Sequence, residues 1–197
     1  DTSLETKVTA SAKALTVSAA AVLPTLNPIG NKTGNENSLL EFIISCLNCD
    51  STSASNLPSG STYTASTKTY SWTPDFAQSG SYSVTFTATN SAGTDSETIT
   101  ITVNNVNVTM TISPSSNQNI DAGDFINWQS TPSHSGTIAW NTTTVAGACA
   151  TIANVEDPGQ TTYNNAGTCD VNATLTVSGG VTATSPTIRI TVGGGGG

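Results

Sequence analysis

Residues 55–103 read SNLPSGSTYTASTKTYSWTPDFAQSGSYSVTFTATNSAGTDSETITITV, and this run decides the fold. Tyr82, Val84, Phe86 and Ala88 alternate with Ser and Thr across Ser81–Asn90. Ile99, Ile101 and Val103 do the same across Ser96–Val103. A period of two sends one set of side chains to a buried face and the other to water, which marks a half-buried strand. Thr at the solvated positions suits a pleated surface because it is β-branched. Ser91-Ala92-Gly93-Thr94 supplies the turn between the two strands. Upstream, Leu57-Pro58-Ser59-Gly60 is a turn, and Ser61–Ala65 with Thr69–Thr73 forms a hairpin around Ser66-Thr67-Lys68. The run is the back half of a small antiparallel β-sandwich and contains no catalytic group.

Working outward, Leu39–Ser45 reads as a core strand, and Leu26–Gly30 as an edge-strand start with Pro28 where no ladder donor is needed. Residues 106–192 repeat the logic with roughly seven strands, the usual number for such a sandwich. These are sought at Val108–Ser113, Phe125–Trp128, Thr137–Trp140, Ala148–Ile152, Val171–Val177 and Thr187–Val192, with Asp121-Ala122-Gly123-Asp124 as a turn. Ala166-Gly167-Thr168-Cys169 stands before the next-to-last strand, as Gln78-Ser79-Gly80-Ser81 does in the first unit. Trp128 and Trp140 are expected in the core. Asn104-Asn105-Val106-Asn107 is too short for a flexible linker, so a stiff, rod-like pair is expected. Gly193–Gly197 is a mobile or extended tail that resembles the spacer before a C-terminal sorting signal.

Composition narrows the function classes. The chain has 197 residues, 9% of them charged, and a net charge of −8 from 13 acidic and 5 basic side chains. Lys7, Lys13, Lys32, Lys68 and Arg189 are too scattered for a nucleic-acid footprint or an anionic membrane surface. No segment approaches the ~20 apolar residues of a spanning helix. A chain that begins at Asp1 with no basic-then-apolar leader reads as a processed product.

The four cysteines allow three pairings, and the local one is expected: Cys46 with Cys49 and Cys149 with Cys169. Closing the longer loop is worth on the order of 3 kcal/mol in the chain-entropy model. Disulfides point to an oxidising, extracellular setting. The single histidine, His134, lies in the polar turn Thr131–Gly136 and reads as an exposed loop residue. The acid pairs Glu156-Asp157 and Asp121/Asp124 read as solvated loop acids, so no enzyme activity is expected. Asn31, Asn107, Asn141 and Asn172 each open an N-glycosylation pattern, and O-linked sugars could sit on the Ser/Thr surface.

The order Asn27-Pro28-Ile29-Gly30-Asn31-Lys32, Leu57-Pro58-Ser59-Gly60, Trp72-Thr73-Pro74, Gly80-Ser81-Tyr82 and Thr98–Val103 resembles the putative-Ig, cadherin-like repeats of bacterial and archaeal surface proteins. The resemblance covers the second of the chain's parts, and residues 106–192 look like a further Ig-like or PKD-like unit. It implies an all-β chain of two tandem Ig-like antiparallel sandwiches, 23–105 and 106–192, with an extra strand at 1–22 and a glycine tail at 193–197. Such repeats often carry an acidic calcium-binding turn after the core strand. Here Cys46-Leu47-Asn48-Cys49-Asp50 stands in its place with one acid, so a disulfide clip and no metal or other cofactor is expected.

Residues 1–22 read as a strand with no sandwich of its own, and a lone strand needs a ladder. Val8, Ala10, Leu15 and Val17 would anchor it on the sheet edge of a neighbouring copy, a donor-strand type of β-addition. Head-to-tail repetition of that contact builds an open filament, so the expected role is a subunit of a surface filament or pilus-like fibre whose partners are copies of itself. The rivals are an adhesin or carbohydrate-binding stalk contacting glycans or the cell surface, and an accessory module of a secreted hydrolase.

Overall fold

A computed structural model describes residues 21–150, 152 and 158–194. Among them the secondary structure is strands plus one 3-10 turn at Ser178–Gly180, and no helix is long and apolar enough to cross a membrane.

The first unit begins with β1 (Thr25–Leu26) and β2 (Lys32–Asn35). It continues with β3 (Leu40–Ile43), β4 (Cys46–Leu47), β5 (Ser51–Ser55), β6 (Thr62–Thr64) and β7 (Thr69–Trp72). The long hairpin of β8 (Gly80–Asn90) and β9 (Gly93–Asn104) completes it. One sheet runs β2-β9-β8-β5, the other β3-β7-β6, and β1 pairs with β4. Tyr82, Val84, Phe86 and Ala88 face inward from β8, as do Ile99, Ile101 and Val103 from β9. They meet Ile44, Tyr70 and Trp72 of the facing sheet in one buried cluster. Gly93 sits at φ +154°, and a Cβ there would come within 2.7 Å of Leu23, so the hairpin's turn needs glycine.

Two strands of this unit carry little apolar signal. In β2, KTGN, nothing is hydrophobic, and the strand exists because it pairs in parallel with β9. In β5, STSAS, the inward residues are Thr52 and Ala54, and Thr52 is buried because its hydroxyl meets the Tyr63 hydroxyl at 2.7 Å. The segment joining β1 to β2 is tied down by acids of β9. Asp95 accepts the Leu26 N–H at 2.7 Å, and Glu97 accepts those of Ile29 and Gly30 at 2.9 and 3.0 Å. Carboxylates make strong acceptors for backbone N–H groups, and here they replace a ladder that Pro28 interrupts.

The second unit comprises β10 (Met110–Ser113), β11 (Gln118–Asp121), β12 (Phe125–Pro132), β13 (Thr137–Gly147), β14 (Gly159–Thr162), β15 (Gly167–Thr176), β16 (Thr182–Thr184) and β17 (Ile188–Gly193). Its sheets run β10-β12-β14 and β11-β17-β15-β13, with β16 also on β15. The expected strand at Ala148–Ile152 is absent from the described residues of that stretch. The ladder of β13 on β15 persists to Gly147, and Cys149 is then drawn to Cys169 by a disulfide while Ile152 plugs the core as a loop residue. Trp128 and Trp140 are both buried, edge to face at 5.7 Å, and the Trp128 indole N–H donates to the Tyr163 hydroxyl at 3.3 Å. Burial pushes the Tyr163 phenol up, and that indole bond pulls against it.

Candidate functional site

Two surfaces stand out, a joint between the units and an edge of the first. At the joint, the turn after β7 presents Phe76, an isolated aromatic in the polar run Pro74–Gly80. Its side chain packs into the hydrophobic cluster of the second unit and is 6% exposed. The His134 ring meets it edge to face at 4.8 Å, and Ser133 Oγ lies 2.9 Å from His134 Nδ1. His134 is thus half-buried against the first unit, where the sequence suggested an exposed loop residue. Gly179, at φ +79°, lets the 3-10 turn approach this loop. A Cβ there would lie 2.8 Å from Asp75 Oδ1 and 3.0 Å from Ala77 Cβ.

Glu36 closes the other side of the joint. It is 1% exposed, its Oε1 accepts the Ser79 N–H at 2.8 Å, and its Oε2 accepts the Val106 N–H at 2.9 Å. One buried carboxylate therefore fastens the start of β8 to the connection between units. A buried charge is tolerable when its oxygens take such charge-assisted bonds. The connection is also held by reciprocal bonds of Thr109 N–H to Ser133 Oγ and Ser133 N–H to Thr109 O, at 2.8 and 3.0 Å. Neither Glu36 nor Phe76 was legible as functional. The only hint was an aromatic among loop residues.

The residues singled out from sequence are dispersed. Val8, Ala10, Leu15 and Val17 lie outside the described residues, as do Glu156 and Asp157. Cys46 is bonded to Cys49 and Cys149 to Cys169, with Cα atoms 6.1 and 5.9 Å apart. Asp124 accepts the Asp121 N–H at 3.0 Å, an internal turn bond, and no group of three or more metal-ligating side chains occurs among the described residues. The burial of Trp128 and Trp140 rules them out as an exposed sugar platform.

Of the N-glycosylation patterns, Asn31 is engaged through Oδ1 by the Thr100 N–H, and Asn141 donates to Asn172 across two strands at 3.0 Å. Asn107 is exposed and lies in the connection between units.

The outer faces of the first unit differ from each other. Behind β8 and β9 the face is almost wholly hydroxyl, with Thr85 bonded to Thr98 at 2.8 Å and Thr87 to Ser96 at 2.9 Å. The outward face of the β3–β4 stretch instead bears Leu39, Ile43 and Leu47, which are 64%, 72% and 61% exposed. Among the described residues β3 pairs only with β7, and none of them pairs with its other edge.

No curated protein matches the chain. Among solved structures, a putative alpha-galactosidase from Bacteroides fragilis is 24% identical over 41% of this chain, at a TM-score of 0.37. The titin domains Z1Z2, solved in complex with telethonin, are 18% identical over 88% of this chain and 98% of theirs, at 0.44. A SusE-like, surface located polysaccharide-binding protein from the Bacteroides thetaiotaomicron heparin utilisation locus is 12% identical over 86% of this chain, at 0.36. The chain spans 17% of the alpha-galactosidase and 34% of the polysaccharide-binding protein. At these TM-scores the superpositions are loose, and the fold rests on the strand pairing above. Residues 5–104, just over half of the sequence, match the family described as Putative Ig domain, and the chain belongs to that family.

Proposed function

We propose that the chain is a non-catalytic structural subunit of an extracellular surface fibre, built from two sandwiches locked into one stiff body. Copies are joined by β-strand addition of the N-terminal segment. The observation that carries this reading is the joint. Phe76 of one unit completes the core of the other, and Glu36 pins the connection between them. A chain meant to swivel between two binding modules has no use for a buried carboxylate at its hinge. A chain meant to transmit tension does.

The strand order adds a constraint. β9 already lies between β2 and β8, and β17 between β11 and β15, so an incoming strand adds to an open edge rather than filling a gap between strands. Two disulfides and an uncharged hydroxyl face suit an oxidising exterior.

Light scattering and negative-stain electron microscopy of the purified chain test this directly. The chain should form head-to-tail polymers that vanish when residues 2–20 are removed. A monomer indifferent to that deletion would overturn the filament reading.

A further inference from the structure

The filament reading leaves open where the added strand binds, and the first unit offers one edge with the right chemistry. The Ile44 N–H donates to Lys68 O on the β7 side, while Ser45 O accepts the Asn27 N–H on the opposite side. Antiparallel ladders alternate which residues bond to which neighbour. The N–H and C=O groups of Glu41 and Ile43 therefore point away from β7, into the open edge of β3. Along it run Leu39, Glu41 and Ile43, all exposed on the outer face. Exposed apolar residues beside an unpaired edge invite strand addition. The other outer edges of the first unit's sandwich sheets, β2, β5 and β6, expose only Thr, Asn and Ser.

We propose that this β3 edge is the acceptor for residues 7–18 of a second copy, which rests on the filament reading above. The segment carries Lys13, Leu15 and Val17 at alternate positions. Setting Lys13 beside Glu41 puts an opposite charge across the pair. It also brings Leu15 beside Leu39 if the strands are antiparallel, or beside Ile43 if they are parallel. Cross-strand charge and apolar pairs of this kind are the unit of sheet stabilisation.

The direction in which the chain leaves β1 favours another copy as the partner. Val22 O is held by Asn90 Nδ2, which also binds Asn48 O, so the chain leaves β1 at the far end of this strand. Asn48 lies seven residues beyond Glu41, at most about 23 Å along an extended chain. Residues 13–22 span at most about 32 Å fully extended. Doubling back to Glu41 of their own copy would use about 23 Å of that span and leave roughly 9 Å, two or three residues, for the reversal around β1.

The test uses full-length chains. One carries Lys13→Cys, the other Glu41→Cys, and they are mixed under mild oxidation, with Thr64→Cys on the opposite sheet edge as the control acceptor. A disulfide-linked dimer with Glu41→Cys and none with Thr64→Cys is expected. Ile43→Asp, on an exposed position, should leave folding intact by circular dichroism and suppress polymers. Charge reversal of either Lys13 or Glu41 should weaken assembly by about two- to fivefold, and reversal of both should restore it. If deleting residues 2–20 abolishes polymers while Ile43→Asp and the Glu41 cross-link do nothing, the acceptor is elsewhere and the filament stands. Cross-linking confined to single chains that carry both cysteines overturns the assignment to a second copy. Absence of polymers from the unaltered chain overturns both readings.

Discussion

In the first sandwich β9 sits between β2 and β8, and in the second β17 sits between β11 and β15, with the first strand of each sheet parallel to the last. The plan is the same, but the closure differs. The first core is filled by its own residues, from Leu26 to Val103. The second takes Phe76 from its neighbour and relies on a disulfide spanning 20 positions, where the first has one spanning 3. The division seen in the sequence at residue 105 is therefore not the division in packing. One aromatic crosses it, and the first unit lends a core residue to the second without receiving one among the described residues.

That asymmetry can be broken at Phe76. Phe76→Ala should cost about 3–5 kcal/mol, as for other buried aromatics. The loss should appear in the fluorescence of Trp128 and Trp140 at lower denaturant than that of Trp72, which lies in the first core. Equal loss of denaturant resistance in both units would show that Phe76 is not specific to the second core. The disulfides sharpen the same contrast. Replacing Cys149 and Cys169 by Ser should cost on the order of 3 kcal/mol, and replacing Cys46 and Cys49 about 2, because a shorter loop restrains the unfolded chain less. Urea titration of the two variants checks the order.

Glu36→Ala strips the acceptor from two part-buried N–H groups and should cost about 1–3 kcal/mol. It should also raise hydrogen exchange at Ser79 and Val106 ahead of the sheets. The smallest effect concerns the outer face of the second sandwich. There Arg189 donates to Asp170 at 2.8 Å and holds its carboxyl below the usual aspartate range. Because the folded value is the lower one, this stabilisation is present above the ordinary aspartate range. It is lost as pH falls through the depressed value. An Asp170→Asn variant should lose that part of the acid dependence and little else, as an exposed pair contributes little.

How much of this was legible follows from side-chain chemistry. β8 and β9 could be read almost residue by residue because large apolar groups alternate with hydroxyls over ten positions. β2, β5 and β11 could not. KTGN, STSAS and QNID hold almost no apolar signal and become strands through partners far away in sequence. The tryptophans were placed correctly in the second core. Ala148–Ile152 looked like a strand because its apolar residues do enter the core, by way of a disulfide and a loop rather than a ladder. A short, stiff joint could be read from Asn104–Asn107, but its key members, a carboxylate and a loop aromatic, could not, because they take their roles only from what lies across from them.

Scanning calorimetry of the intact chain tests the account's core, that the two sandwiches form one body. The account predicts a single unfolding transition whose calorimetric and van't Hoff enthalpies agree, splitting into two when Phe76 and Glu36 are both replaced by Ala. Two separate transitions in the unaltered chain, unmoved by those replacements, would contradict it.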